Sequence, residues 1–248
     1  MAERRGTVWS EAFRVRAYEV DASGRASVPA LCNWLQEAAG NHATSLDWGL
    51  DDLHEKGLTW VLGRLHLRLA ARPAWREDVT VSTWPAGVQR LYALREFRIA
   101  GRGGELGVAT TAWLLVSAAS LRPARLPVGL EEIARDGPGR VLDDPFAKLP
   151  EVTHPEFEST LEVRFSDLDM NRHANNVSLI ACALEPLPEN VVLGRSLAEL
   201  EIEFRAEALR PDCLLVQAER HGEGCRFVHR LRRERDGREV ARALSVWA

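Results

Sequence analysis

A run of polar residues at positions 166–176 has the side-chain types and the spacing of a reaction centre. Asp169, Asn171 and His173 place a carboxylate, a carboxamide and an imidazole at alternating positions, and Asn175 and Asn176 follow directly. A carboxylate or an imidazole can accept a proton from water, and an amide can orient water or stabilise an oxyanion. The alternative is a polar turn whose Asp and Asn side chains satisfy backbone groups, but turn chemistry does not explain the histidine.

The neighbouring segments predict how these side chains are held. Residues 161–165 alternate apolar and polar side chains, which indicates a strand, and residues 177–184 are mostly apolar, which indicates a helix capped by Asn175 or Asn176. The first N–H groups of a helix lack partners and can polarise a carbonyl group or hold an anion. The sequence therefore predicts a strand, a polar loop and a helix start that together form the candidate site.

The composition is that of an ordinary globular protein. Of the 248 residues, 46% are hydrophobic and 27% are charged, and the net charge of -4 gives no reason to expect nucleic acid as a partner. No apolar run approaches the roughly 20 residues of a spanning helix, so we expect no membrane insertion. We expect a cytoplasmic protein, because the sequence begins with no secretory signal. Its four cysteines, Cys32, Cys182, Cys213 and Cys225, are then expected to be reduced thiols. Their spacing matches no zinc site, so we expect no metal, and we also expect no cofactor.

Two similar series of elements follow one another along the chain. In the first half, strands are predicted over 13–18, 59–69, 78–85, 92–100 and 108–117, with a long helix that starts after Ser27. In the second half, strands are predicted over 196–206, 212–221, 226–235 and 239–247. Residues 122–157 hold six of the twelve prolines and predict an extended linker.

The two halves match residue by residue, which indicates an internal duplication. Asp21 corresponds to Asp169 (169 − 21 = 148), and Val15 and Arg16 correspond to Val163 and Arg164 at the same offset. The pattern predicts an α+β fold made of two helix-on-sheet units, whose edge strands pair into one broad antiparallel sheet.

The duplication also separates what the fold needs from what is additional. At the offset of 148, Asn171 corresponds to Ser23 and His173 corresponds to Arg25. The first copy therefore keeps the aspartate and lacks the amide and the imidazole, which favours a functional role for both. Glu207, near the end of the strand predicted over 196–206, is either a carboxylate that turns into a cleft or a solvated edge residue.

Three stretches resemble the acyl-ACP thioesterases. Residues 167–177 are similar to the catalytic-loop signature of that family, residues 35–43 to its first helix, and residues 204–207 to the strand that carries its fourth catalytic group. The resemblance covers nearly the whole chain. It implies a tandem double hot-dog fold, with two long helices each wrapped by an antiparallel sheet. The implied parts are an acyl-chain-binding unit (1–121), a linker (122–157) and a catalytic unit (158–248).

The resemblance also implies a chemistry, which is hydrolysis of fatty acyl-ACP in fatty acid biosynthesis. Asp169, Asn171, His173 and Glu207 are its catalytic positions, and the N–H groups near Asn175 and Asn176 are expected to polarise the thioester carbonyl. The family often has a cysteine directly after the glutamate, whereas this chain has alanine at position 208. We therefore expect direct attack by water, with Glu207 or His173 as the general base.

The implied partner is acyl carrier protein that bears a phosphopantetheine-linked acyl chain. This carrier is acidic, so a basic patch is expected, either at the arginines 226, 230, 232, 233, 235 and 238 or at the arginines 90, 95, 98 and 102, although solvated strand faces explain both groups equally well. Rival interpretations are a coenzyme A thioesterase, a non-catalytic acyl-binding or regulatory protein on the same scaffold and, less favoured, a hydratase. The sequence leaves open whether two chains form a homodimer.

Overall fold

The computed structural model describes residues 6–248, which divide into two compact units. The first unit consists of the chain up to Leu65 together with Arg72–Pro145, and the second consists of His66–Ala71 and Phe146–Ala248. The boundary at Pro145 falls inside the segment 122–157 that was expected to be a linker. Within residues 6–248, no helix has the length and the apolar character needed to cross a membrane.

The first unit places a long helix on an antiparallel sheet. Its elements are β1 (Trp9–Arg14), α1 (Val28–Ser45), α2 (Leu50–His54), β2 (Leu58–Leu69), β3 (Asp78–Gln89), β4 (Tyr92–Gly101), β5 (Gly104–Ser117) and α3 (Leu130–Asp136). The strand order is β1-β3-β4-β5-β2. Helix α1 begins where predicted, because the Ser27 hydroxyl accepts a hydrogen bond from the N–H of Ala30 at 3.2 Å. Leu31, Leu35 and Ala38 bury its apolar face.

The second unit repeats this plan. Its elements are β6 (Phe157–Glu162), α4 (Asn176–Leu184), α5 (Glu189–Val192), β7 (Leu197–Phe204), β8 (Cys213–Arg220), β9 (Arg226–Arg233) and β10 (Glu239–Trp247). The strand order is β7-β10-β9-β8-β6, and residues 66–69 of β2 lie beside β7. The predicted α+β class, with a helix on an antiparallel sheet, is thus confirmed in each half.

Helix α4 is shorter than the long helix that we expected. It has 9 residues, compared with 18 in α1. Pro186 lies two positions after Leu184, and a proline disfavours helical backbone at the residue before it and removes a helical hydrogen bond. The apolar run therefore ends in a loop and not in further helical turns.

The first strand of each unit ends earlier than its pattern predicts. Residues 13–18 and 161–165 alternate as a strand does, but β1 stops at Arg14 and β6 stops at Glu162. A 3₁₀ turn follows in both units, because the carboxylate of Glu19 accepts from the N–H of Arg16 and that of Asp167 accepts from the N–H of Arg164, each at 2.8 Å. The same local hydrogen bond thus ends both strands.

The segment 122–157 is fastened to the unit on each side of Pro145. In the first unit, Arg140 forms a 2.6 Å ion pair with Glu96, whose side chain is fully buried. In the second unit, Arg242 donates a hydrogen bond to the carbonyl of Leu149 at 3.3 Å. Apolar residues of the segment, Leu142 and Leu149 among them, are buried. The segment is therefore packed structure on both sides of the boundary.

Candidate active site

Asp169 organises the polar loop that follows β6. Its Oδ1 accepts hydrogen bonds from the N–H groups of Asn171 at 2.8 Å and His173 at 3.2 Å, and its own N–H donates to the carbonyl of His173 at 2.8 Å. These bonds fold residues 169–173 into a tight turn. Asp169 therefore positions the two side chains that the sequence singled out, and its carboxylate is engaged with the backbone.

The first unit contains the same turn without the functional side chains. Asp21 Oδ1 accepts from the N–H of Ser23 at 2.9 Å, and the N–H of Asp21 donates to the carbonyl of Arg25 at 2.9 Å. Gly24 adopts a φ of +72° there, and Arg172 adopts +63° at the equivalent position. A residue with a side chain costs about 1–2 kcal/mol in this left-handed region. The second copy therefore keeps a strained arginine where glycine suits the backbone.

Backbone pairing brings the loop next to the segment that carries Glu207. The N–H of Ala174 donates to the carbonyl of Ala208 at 2.8 Å, and His173 forms a β-bridge with Leu209. The guanidinium of Arg233 fixes the segment from the other side, donating to the carbonyl of Glu207 at 2.7 Å. The loop and the Glu207 segment are therefore held in register by main-chain contacts.

His173 and Glu207 meet as a result of this pairing. His173 Nε2 lies 3.4 Å from Glu207 Oε2, which is within ion-pair reach and slightly long for a strong hydrogen bond. The two side chains are 34% and 46% exposed, so water reaches both of them. Glu207 is thus an exposed residue, as the alternative of a solvated edge carboxylate expected. The arrangement provides an imidazole and a carboxylate that can share a proton at the surface of the second unit.

The first unit has an arginine where the second has Glu207. The N–H of Ala26 donates to the carbonyl of Pro73, just as the N–H of Ala174 donates to the carbonyl of Ala208. Pro73 and Ala208 are therefore equivalent, at an offset of 135 (208 − 73 = 135). At the same offset, Arg72 corresponds to Glu207. Arg72 is buried and forms an ion pair with Asp21. Although burial opposes the shift, hydrogen bonds from Arg72 and Ser23 hold the pKa of Asp21 below its ordinary value. The first copy is therefore closed by an ion pair and offers no free acid or base there.

The remaining predicted residues lie on the same loop and at the start of α4. The side chain of Asn171 is exposed and makes no hydrogen bond with any other residue between 6 and 248. Asn175 is the N-cap of α4, because its Oδ1 accepts from the N–H of Val177 at 2.9 Å, and Asn176 is the first residue of the helix. The cap prediction therefore holds for Asn175, and its side chain is already occupied in capping.

The sequence did not identify Arg72 or Arg233 as parts of these loops. A search for the second offset, 135, would have placed Arg72 opposite Glu207. Arg95, which was grouped with surface arginines, lies instead on the face of the first sheet that α1 covers, where it donates to His42 of that helix. Four other members of the two arginine groups have side-chain partners within their own unit: Arg98 pairs with Glu105, Arg233 with Asp236 and Arg235 with Asp212, and Arg230 bonds Gln217.

The fold and the loop define a double hot-dog protein, and of its two equivalent turns only the second carries an imidazole beside a carboxylate. The family model of the acyl-ACP thioesterase N-terminal domain matches residues 6–133, and that of the acyl-ACP thioesterase C-terminal domain matches residues 151–248. The chain belongs to the acyl-ACP thioesterase family.

Several curated proteins and solved structures are similar over 98% of the chain. The palmitoyl-acyl carrier protein thioesterase of Cuphea hookeriana is 30% identical and the acyl-[acyl-carrier-protein] hydrolase FATB2 of Cuphea viscosissima is 28% identical. The chain spans 62% and 63% of their lengths, respectively. An acyl-ACP thioesterase from Bacteroides thetaiotaomicron superposes with a TM-score of 0.88, and the 12:0-ACP thioesterase from Umbellularia californica with 0.86. Each of these two is 26% identical and 98% covered.

Proposed function

We propose that this protein hydrolyses fatty acyl thioesters carried by acyl carrier protein, releasing a free fatty acid and the carrier thiol. The observation that carries the proposal is the 3.4 Å approach of His173 Nε2 to Glu207 Oε2. The equivalent positions of the first copy hold Arg25 and Arg72, so the fold itself does not require this pair. Family membership supports the thioester as the bond that is cleaved, and the names of the relatives support acyl carrier protein as the carrier.

In the proposed mechanism, a water molecule attacks the thioester carbonyl carbon directly. Glu207 and His173 together act as the general base and take one proton from that water as the new C–O bond forms. The tetrahedral intermediate then collapses, the C–S bond breaks, and the thiolate leaves and receives the proton. Position 208 is alanine, so no thiol adjoins Glu207 to form an acyl-enzyme.

The other predicted residues have supporting roles in this mechanism. Asp169 holds the loop through its bonds to the N–H groups of Asn171 and His173. The carboxamide of Asn171 is available to orient the water or to donate to the developing oxyanion. The first free N–H groups of α4, next to Asn175 and Asn176, are proposed to polarise the carbonyl.

We propose that the first unit binds the acyl chain. A pocket of about 290 Å³ lies in this unit between the end of α1, helix α2, the start of β2 and the end of β5. Leu46, Leu53, Leu58 and Leu115 are among its apolar lining residues, and three charged residues, Asp47, Lys56 and Arg125, line it as well. Its volume is at the lower end of the range of small-molecule sites, and an apolar lining suits a hydrocarbon chain.

The decisive experiment measures thiol release from matched acyl-ACP and acyl-CoA substrates. We expect turnover of acyl-ACP, and we expect His173→Ala and Glu207→Gln each to lower kcat by roughly 10²–10⁴-fold, the usual contribution of a general base. Arg25→Ala is the matched control, because Arg25 occupies the position of His173 in the first copy and its loss should leave kcat unchanged.

The rival interpretations have distinct outcomes in the same assay. Faster turnover of acyl-CoA than of acyl-ACP would indicate that coenzyme A is the carrier. Tight binding of both substrates without thiol release would indicate a non-catalytic acyl-binding protein. Near-normal turnover by both variants would overturn the assignment of His173 and Glu207 as the base.

We also propose a cytoplasmic location, which the four free cysteines support because thiols stay reduced there. Cell fractionation tests the location. Association into a homodimer is a separate proposal without a supporting contact, and light scattering of the purified protein tests it.

A further inference from the structure

Two exposed arginines lie on the paired segments that carry His173 and Glu207. His173 forms a β-bridge with Leu209, so Arg172 and Arg210 are the next residues on the two segments, at the same end of the pairing. Both side chains are exposed, and neither forms a hydrogen bond or an ion pair with any other residue that the structure describes. Like charges on paired segments repel each other, so a bound counter-charge would stabilise this arrangement.

The backbone at Arg172 is unfavourable for a residue with a side chain. Its φ of +63° is left-handed, and the equivalent residue of the first unit is Gly24, with a φ of +72°. Strain of this kind concentrates at sites of function. The Arg172 side chain makes no hydrogen bond or ion pair with the described part of the chain that would offset the strain. Its guanidinium is therefore available to another molecule.

Two exposed apolar side chains lie next to these arginines in the chain. Phe165, in the 3₁₀ turn after β6, and Met170, in the loop itself, are each 77% exposed. At the offset of 148, the equivalent residues of the first unit are Ala17 and Ala22. Aromatic residues, methionine and arginine are enriched in protein interfaces, and exposed apolar groups rimmed by charge mark such surfaces. The second copy therefore differs from the first by side chains that suit a protein partner.

The first unit also has exposed aromatic rings near its turn, but its own arginines contact them. The guanidinium of Arg16 lies 6.0 Å from the ring centroid of Tyr18, and that of Arg76 lies 4.1 Å from the ring centroid of Trp75. Such contacts between a cation and a ring are attractive. Phe165 has no ring or cation contact among the described residues. Its apolar surface is therefore open to a partner, whereas the rings of the first unit are already engaged.

We propose that Phe165, Met170, Arg172 and Arg210 form the docking surface for acyl carrier protein. This inference rests on the proposed function and assigns the surface that receives the carrier. The thioester lies at the end of the carrier's phosphopantetheine arm, so the carrier must dock on the side of the protein where the His173 and Glu207 pair lies. The chain has a net charge of -4 and as a whole repels an acidic carrier, so the docking surface must be locally positive.

The test measures kcat and KM for acyl-ACP, acyl-CoA and acyl-N-acetylcysteamine, which share one acyl chain and differ in the carrier. Arg172→Gly copies the first unit and removes the backbone strain, which protects against a failure to fold. Arg210→Gln removes the second charge. We expect each variant to raise the KM for acyl-ACP by about 2–5-fold, the usual effect of losing an exposed charge pair. Turnover of acyl-N-acetylcysteamine should stay unchanged.

The salt dependence separates the charged part of the surface from the apolar part. The effects of Arg172→Gly and Arg210→Gln should shrink as salt is added, because exposed charges are then screened. Phe165→Ala and Met170→Ala, which also copy the first unit, should raise the KM for acyl-ACP by a similar factor at low and at high salt.

The matched control is Arg90→Gly. Arg90 is an exposed arginine of the first unit with a φ of +58°, and it belongs to one of the two arginine groups that the sequence indicated as a basic patch. This variant should leave the KM for acyl-ACP unchanged. An equal rise in KM from Arg90→Gly would overturn the inference, because the effect would then not be specific to the proposed surface.

Three other outcomes would also overturn the inference. If Arg172→Gly and Arg210→Gln raise the KM for acyl-CoA as much as that for acyl-ACP, the arginines bind phosphate groups that both carriers present. If Arg172→Gly lowers kcat for acyl-N-acetylcysteamine, the residue acts on the geometry of the loop. If light scattering shows a dimer that Phe165→Ala dissociates, the surface joins two copies of this chain.

A binding measurement separates this inference from the proposed function. Calorimetric titration of acyl-ACP into Glu207→Gln, with and without Arg172→Gly, requires no hydrolysis. If the wild-type protein releases no thiol but Arg172→Gly weakens this binding, the proposed reaction fails and the docking surface stands. If the wild-type protein releases thiol and Arg172→Gly leaves the binding unchanged, the reaction stands and the docking surface fails.

Discussion

His229 should make the stability of the protein depend on pH in a way that one substitution can isolate. This residue of β9 is fully buried, and its Nε2 lies 2.8 Å from Ser245 Oγ. Burial lowers its pKa from 6.5 to about 4, although the carbonyl of Ala183 opposes the shift. Between pH 6.5 and pH 4, His229 is therefore protonated in the unfolded chain but stays neutral in the folded chain. The stabilisation is complete above pH 6.5 and is lost as the pH falls toward 4.

The size of the effect follows from the shift. One pKa unit corresponds to about 1.4 kcal/mol, so the free energy of unfolding should fall by about 2 kcal/mol between pH 7.5 and pH 5 because of this histidine alone. Phe97 occupies the equivalent position in the first unit, which makes His229→Phe a replacement that the fold already accepts. The variant should lose about 2 kcal/mol less than the wild-type protein over this range.

Urea unfolding followed by tryptophan fluorescence at several pH values measures the difference. His42 has a similarly lowered pKa, but it is present in both proteins and cancels in the comparison. His221→Phe, at an exposed histidine, controls for the loss of a histidine as such. The reasoning is refuted if His229→Phe and the wild-type protein lose the same stability between pH 7.5 and pH 5.

Three further predictions test the loops of the two units. Gly24→Ala should lower the free energy of unfolding by about 1 kcal/mol in urea titrations, because φ is +72° and a Cβ there meets nothing within 4 Å, so the cost is in the backbone alone. Arg72→Met should lower the free energy of unfolding by about 3–5 kcal/mol, because it leaves Asp21 without its partner. Adding Asp21→Asn to the same chain should restore part of this stability. A smaller loss in the single variant would show that the ion pair does not hold the loop. Asn175→Ala and Ser27→Ala remove matching helix caps, and each should lower the free energy of unfolding by about 1 kcal/mol. Only Asn175→Ala should also reduce the rate of thiol release. If the two variants are equally active, Asn175 acts only as a helix cap.

The parts of the fold that sequence could predict are those written in local patterns. The period of two in the strands, the Ser27 cap with Pro29 behind it, and the glycine turns after β8 and β9 each depend on nearby residues. The ends of β1 and β6 were missed because a carboxylate three residues further on captures a backbone N–H. Alternation of side chains does not report that competing hydrogen bond.

The candidate site was predictable for a different reason, because the two copies of the duplicated unit can be compared with each other. The duplication showed that Asn171 and His173 are additional to the turn, and the structure places His173 beside Glu207. The interior position of Arg95 could not be predicted, because it depends on which face of the sheet is covered. Only long-range packing decides that.

The two turns form the same main-chain hydrogen bonds, so the side chains of the second turn can be introduced into the first by substitution. Replacing Ser23, Arg25 and Arg72 by asparagine, histidine and glutamate, respectively, would reproduce in the first unit the set found at Asn171, His173 and Glu207. The backbone at Gly24 already accommodates the required left-handed geometry without strain. Three side chains therefore separate the two turns, and because Arg72 is the ion-pair partner of Asp21, the exchange would also remove the contact that holds the first turn.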